Sequence, residues 1–127
     1  MTRESSDQMA FVKTLTRKHI VYLAVPNGGT RNKNEARLLR KTGTKRGAPD
    51  IIIFTRPPAL PYCTGVVVEF KTTHGKESDV APTQTSWLNK LTALGWVSFV
   101  AFGLGDGLRK LKALGYDVFA PSEKTES

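Results

Sequence analysis

Two carboxylates and an ammonium group lie at the ends of two apolar segments of this chain. Asp50 directly precedes the apolar residues 51–54, and Glu69 and Lys71 close the segment that begins at Val66. Because side chains alternate along a β-strand, Glu69 and Lys71 are expected to point to the same face of the second strand. Two acids and a lysine that converge at strand ends are the groups that metal-dependent phosphodiester cleavage requires.

The residue types fit a hard divalent cation. Mg²⁺ prefers oxygen ligands and keeps several of its waters. Asp50 and Glu69 would supply carboxylate oxygens, and the backbone carbonyl of Phe70 would supply a further ligand. A bound cation polarises a phosphate and acidifies a water. Lys71 would orient that water or offset the charge that builds up on the phosphate, since its ammonium is a compact point charge.

A Glu-x-Lys pair on a strand has a simpler interpretation, as an ion pair at an exposed edge that contributes roughly 0.2–1 kcal/mol. Three features favour function over this alternative. The strand is otherwise apolar, so its charges are costly unless they are used. A second acid, Asp50, follows Pro49 at the start of the preceding strand, and seven basic residues crowd the segment before it.

The segment from residue 31 to residue 46 carries seven cations against one acid, Glu35. Such a run is often only a solvated helix face, and that alternative stays open. Because the cluster adjoins Asp50, we expect it to contact the DNA backbone. The expected DNA-binding residues are Asn27, Arg31, Lys33, Arg37, Arg40, Lys41, Lys45 and Arg46.

Composition narrows the class of protein. A chain of 127 residues with 39% apolar content is expected to form one domain with a single core. A net charge of +8 favours a nucleic acid or an anionic membrane as partner. No segment approaches the ~20 apolar residues of a membrane span, and the polar N-terminus does not resemble a signal peptide. The single cysteine, Cys63, excludes an internal disulfide and favours a cytoplasmic, reducing setting.

Periodicity and turn residues predict an α/β domain with a mixed sheet. The domain is expected to span residues 1–119, with a flexible tail at 120–127. The predicted helices are 4–18, 34–42, 82–94 and 108–114, and the predicted strands are 20–25, those starting at Ile51 and Val66, 96–102 and an edge strand at 116–119.

Two further patterns have structural rather than functional interpretations. The glycine-rich residues 103–107 follow a strand, but no acid-bearing strand lies ~20 positions on, as a dinucleotide site requires. We therefore expect a flexible strand-to-helix turn there. Trp87 and Trp96 sit at core spacing and are interpreted as packing residues.

A series of short motifs occurs in a characteristic order between residues 4 and 103. They are Asn27-Gly28-Gly29, Gly43, Gly47-Ala48-Pro49-Asp50, Glu69-Phe70-Lys71, Gln84, Trp87-Leu88 and Gly95. In this order they resemble the PD-(D/E)xK nucleases and, more narrowly, the virus-type replication-repair nuclease (VRR-NUC) family. The resemblance covers most of the chain.

The resemblance implies a restriction-endonuclease-like α/β/α core with a mixed central sheet. It also implies that Asp50 and Glu69 bind Mg²⁺ or Mn²⁺, that Lys71 is the catalytic lysine, and that Gln84 lies near the active centre. By the same resemblance, Glu4 corresponds in position to an acid on the first helix of family members, and Asp7 is a competing candidate for that position.

Short stand-alone members of the family occur in bacteriophages and bacteria. The resemblance implies that they dimerise and cut branched DNA, such as four-way (Holliday) junctions, and that in larger members the module is the nuclease part of a DNA-repair enzyme. We therefore expect a metal-dependent, structure-selective endonuclease that acts as a homodimer, since a four-way junction is approximately two-fold symmetric. Two alternatives remain open: a basic junction-binding module without catalysis, and a nuclease that acts on linear duplex DNA.

Overall fold

The described part of the chain contains four α-helices and four β-strands. The computed structural model describes residues 3–26 and 32–119. Its helices are α1 (Arg3–Arg17), α2 (Lys33–Lys41), α3 (Pro82–Ala93) and α4 (Gly103–Ala113). Its strands are β1 (Tyr22–Ala24), β2 (Ile51–Ile53), β3 (Val66–Lys71) and β4 (Val97–Phe102), and a 3₁₀ turn covers Glu77–Asp79. No helix within the described ranges has the length and apolar character needed to cross a membrane.

The sheet is mixed, as the sequence predicts. Its strand order is β1-β2-β3-β4. The first two pairings are antiparallel and the third, between β3 and β4, is parallel. In the β2–β3 ladder Ile51 lies opposite Val68, and Asp50, directly before β2, also donates its N–H to the carbonyl of Val68. This register brings the two acids to the same end of the sheet.

Helices cover both faces of the sheet. On one face Phe11 of α1 meets Phe70 of β3 edge-on, with ring centroids 5.0 Å apart. On the other face Gln84 of α3 reaches Glu69, the neighbour of Phe70 that points the opposite way. Residues 66–70 are all buried, because β3 lies inside the sheet and between these layers. The α/β/α architecture expected from the sequence is confirmed.

The glycine-rich segment after β4 is helical, so the prediction of a flexible turn was wrong. Helix α4 begins at Gly103, five residues before the predicted start at 108. Gly107 packs so closely that a Cβ there would lie 3.0 Å from the Phe11 ring and 3.2 Å from Ala101. The carboxylate of Asp106 accepts the N–H of Phe102 at 2.9 Å. Tertiary packing and this hydrogen bond outweigh the poor helix propensity of glycine.

The predicted edge strand at 116–119 is also wrong, because this segment does not pair with the described sheet. Tyr116 and Val118 are buried in the core, whereas Asp117 and Phe119 are exposed. The Tyr116 hydroxyl donates to the carbonyl of Thr55. Alternating burial therefore arises here in an irregular segment that packs on the core without ladder hydrogen bonds to the described sheet. Residues 120–127 lie outside the described ranges, and the boundary at 119 stays a prediction.

Candidate active site

Asp50 and Glu69 lie close together at one end of the sheet, near enough for the charge of Asp50 to act on Glu69. The N–H of Asp50 donates to the carbonyl of Val68 at 3.0 Å, and its Oδ2 accepts the N–H of Phe70 at 2.7 Å. Asp50 is therefore fixed to β3 through both its backbone and its side chain.

Glu69 is an acid in the core, with only 3% of its surface exposed. Its Oε2 accepts a hydrogen bond from Gln84 Nε2 at 2.9 Å and lies 3.9 Å from Lys71 Nζ. Gln84 is itself held, because its Oε1 accepts the N–H of Ala81 at 2.8 Å. The other oxygen of Glu69, Oε1, is buried without a hydrogen-bond partner among the described residues.

The surroundings of Glu69 disfavour its negative charge. Burial raises the pKa of Glu69 to about 8, and the charge of neighbouring Asp50 adds to that rise. The positive charge of Lys71 lowers the pKa of Glu69, and the negative charge of Glu4 raises it by a smaller amount. Two ionised carboxylates are both acceptors, so neither Asp50 nor Glu69 can donate a hydrogen bond to the other. A proton or a divalent cation between Asp50 and Glu69 would remove this conflict.

The donor set fits a hard cation. The N–H and C=O of a strand residue point to the same side, so the Phe70 carbonyl faces Asp50, as its N–H does. In the described part of the chain, no three His, Cys, Asp or Glu side chains form a metal-binding group. A cation would therefore rest on two carboxylates, this carbonyl and water, which suits Mg²⁺ because it retains several waters.

The two candidate acids of α1 lie at the edge of this site. Glu4 is near enough for its charge to raise the pKa of Glu69, but it does not complete a three-residue ligand group. Asp7 accepts a hydrogen bond from Thr73, in the loop after Lys71, at 3.5 Å. The proposed ligand role of Glu4 stays a prediction.

The basic segment is exposed. Helix α2 contains no buried residue, and its first turn is capped by Asn32, whose side chain accepts the N–H of Glu35 at 2.8 Å. Asn27 and Arg31 lie outside the described residues. The remaining expected DNA-binding residues are all exposed: Lys33, Arg37, Arg40, Lys41, Lys45 and Arg46.

The loop that leads into Asp50 is anchored on the start of α3. The indole N–H of Trp87 donates to the carbonyl of Arg46 at 3.2 Å. Gly47 has φ +80°, and a Cβ there would lie only 2.7 Å from the backbone of Thr83. These contacts attach the basic loop to the helix that carries Gln84, and so they fix the position of the chain segment that precedes Asp50.

Gly47→Ala is expected to destabilise the protein by more than Gly43→Ala, as measured by urea unfolding. Both residues have positive φ, which costs a non-glycine residue about 1–2 kcal/mol. Only at Gly47 would the new Cβ also collide with Thr83, because nothing lies within 4 Å of a Cβ at Gly43. Equal losses of stability would mean that the loop does not pack on α3 as described.

The sequence matches no protein-family model, and no curated protein matches it. A solved structure of a VRR_NUC domain protein is similar, with a TM-score of 0.68 and 20% sequence identity. The match covers 91% of this chain and 89% of that one. The chain has the VRR-NUC fold. The resemblance inferred from the ordered motifs is thus confirmed at the level of the fold.

Within this VRR-NUC fold, the exposure of Trp87 and its contact with Lys90 were not expected from the sequence. Trp87 is half-buried rather than a core residue, and Lys90 Nζ lies 5.3 Å from its ring centroid. The signal in the sequence was the spacing of Thr83, Ser86, Trp87 and Lys90. Positions i, i+3, i+4 and i+7 share one face of a helix.

Proposed function

We propose that this protein is a nuclease of the VRR-NUC family that hydrolyses phosphodiester bonds in DNA with Mg²⁺ or Mn²⁺. The observation that carries the proposal is the proximity of Asp50 and Glu69 beside Lys71, with one oxygen of Glu69 buried and without a hydrogen-bond partner in the described part of the chain. A buried carboxylate in this condition is costly unless it binds something. Groups with strongly shifted pKa values are found most often at functional sites.

The roles follow from the contacts. Asp50 and Glu69 would hold the cation, and Gln84 would keep Glu69 oriented through its hydrogen bond to Oε2. When bound, the cation would supply the Lewis acidity that polarises the phosphate and acidifies a water. Lys71, whose side chain is 17% exposed, would meet the phosphate from the solvent side and offset its developing charge.

We further propose a branched DNA substrate, such as a four-way junction, and a homodimer as the active species. The net charge of +8 and the exposed cations of α2 favour contacts with phosphates. Such contacts position a protein on DNA without reading bases, so selectivity would rest on DNA shape. A two-fold dimer would present one site to each of two strands of a two-fold junction.

A panel of substrates tests the proposal. Labelled four-way junction, linear duplex and single strand are each incubated with Mg²⁺, with Mn²⁺ or with EDTA, and Asp50→Asn serves as the inactive control. We expect the junction to be cut fastest, in both cations and never in EDTA. Faster cutting of linear duplex would overturn the junction specificity but keep the nuclease. An absence of products from every substrate would contradict catalysis and favour a DNA-binding module.

A further inference from the structure

A surface pocket of about 370 Å³ opens on the outer side of α3. It is lined by Arg46, Pro82, Thr83, Ser86, Trp87 and Lys90, and we call it the α3 pocket. Apart from Arg46, every lining residue belongs to the helix that also carries Gln84.

Helical geometry sets the α3 pocket next to the candidate site. Thr83, Ser86 and Lys90 follow one face of α3, whereas Gln84, about 100° around the helix from Thr83, reaches Glu69. Arg46 belongs to the loop before Asp50, and its carbonyl accepts a hydrogen bond from the indole N–H of Trp87. Since only four residue steps separate Arg46 from Asp50, their Cα atoms lie at most about 14 Å apart.

The polar groups of the α3 pocket favour an anion. Arg46 and Lys90 take part in none of the ion pairs found between described residues. The exposed residues Thr83 and Ser86 add their hydroxyl groups to the same lining. The first N–H groups of an α-helix have no partner inside the helix and carry the positive end of its dipole. Among the described residues, no acid lines this pocket.

Trp87 positions other residues of the pocket and is not interpreted as a platform for base stacking. Its indole N–H is engaged by the Arg46 carbonyl, and the ammonium of Lys90 lies 5.3 Å from its ring centroid. These two contacts place the backbone of Arg46 and the ammonium of Lys90 next to the same ring. A phosphate, which Arg can bind in a bidentate manner and Lys as a point charge, suits a pocket lined by both residues.

We propose that the α3 pocket binds a second phosphate of the substrate strand, within a few nucleotides of the phosphate that is cut. This inference rests on the proposed function, because it takes DNA as the ligand. Successive phosphates of one strand rise 3.4 Å along a duplex, so a span of up to about 14 Å covers a few nucleotides. The pocket would thereby set the path of the strand as it enters the active site.

Lys90→Ala compared with Lys112→Ala tests the inference. Both lysines lie in the last turn of a helix, and both place their ammonium near an aromatic ring, Lys112 at 5.6 Å from Phe119. DNA affinity is measured in metal-free buffer over a series of salt concentrations. Losing one phosphate contact lowers the slope of log K against log[salt] by about 0.9. We expect this loss and weaker binding for Lys90→Ala, and no change for Lys112→Ala.

Parallel cleavage assays separate this inference from the proposed function. Equal slopes for the two variants, with cleavage by the unsubstituted protein intact, would overturn the pocket and leave the nuclease standing. A reduced slope for Lys90→Ala without cleavage of any substrate would support the pocket and contradict the nuclease. An unsubstituted protein that binds no DNA would overturn both. Ser86→Asp, which puts a negative charge in the pocket, is expected to weaken binding as Lys90→Ala does.

Discussion

Lys71→Ala is expected to lower the single-turnover rate of DNA cleavage by at least about 100-fold, the usual loss when one stabilising group of a transition state is removed. Lys71 lies 3.9 Å from Glu69, and its side chain is mostly buried, so solvent cannot readily replace its charge. Asp50→Asn is expected to have an effect at least as large, because it removes a negative ligand of the cation while keeping an oxygen to accept the N–H of Phe70.

Matched variants control for charge. Lys76→Ala removes an exposed lysine from the loop after β3, and Asp117→Asn removes an exposed acid far along the chain. Both are expected to cut DNA at the unsubstituted rate. DNA affinity is expected to persist in Lys71→Ala and Asp50→Asn, since the exposed cations of α2 are untouched. Cleavage at normal rates by both of these variants would refute the assigned site.

The metal-free protein is expected to lose stability as the pH rises from about 5 to about 8. The pKa of Glu69 is raised in the folded state from its ordinary value of 4.5 to about 8, chiefly by burial. Between these values the folded state holds one more proton than the unfolded chain, so the free energy of unfolding falls with increasing pH. A loss of a few kcal/mol would lower Tm by roughly 10 °C.

Glu69→Gln isolates this effect, because the amide does not titrate and keeps the shape of the side chain. Tm is recorded against pH for both proteins in EDTA, and the difference between the two curves is compared. The unsubstituted protein is expected to fall relative to Glu69→Gln across this range, and Mg²⁺ is expected to restore its stability at pH 8. Parallel curves in EDTA would mean that Glu69 is ionised in the fold without a cation.

The acids could be predicted to meet because two local rules agree. Alternation along β3 put Glu69 and Lys71 on one face, and the turn residues before Ile51 placed Asp50 at the start of the adjacent strand. The family resemblance added Gln84, whose hydrogen bond to Glu69 spans 15 positions. Spacing alone does not predict a contact of that kind.

The features that sequence reasoning missed depend on packing between distant segments. Helix α4 starts at Gly103 because the face around Gly107 fits against Phe11, nearly a hundred residues earlier. Burial alternates at Tyr116 and Val118 as in a strand, but alternation does not report hydrogen bonds to a neighbour. The α3 pocket combines residues of α3 with Arg46, whose carbonyl contacts Trp87, 41 residues away in the sequence.

A metal-binding measurement tests the central claim most directly: Asp50 and Glu69 hold one divalent cation between them. Crystals grown with Mn²⁺ and measured at its absorption edge would locate the ion by anomalous scattering, and calorimetry would count the ions bound by each chain. We predict one ion per chain, coordinated by both carboxylates, and its loss in both Asp50→Asn and Glu69→Gln. An ion bound elsewhere, or two carboxylates without any ion at saturating Mn²⁺, would contradict the account.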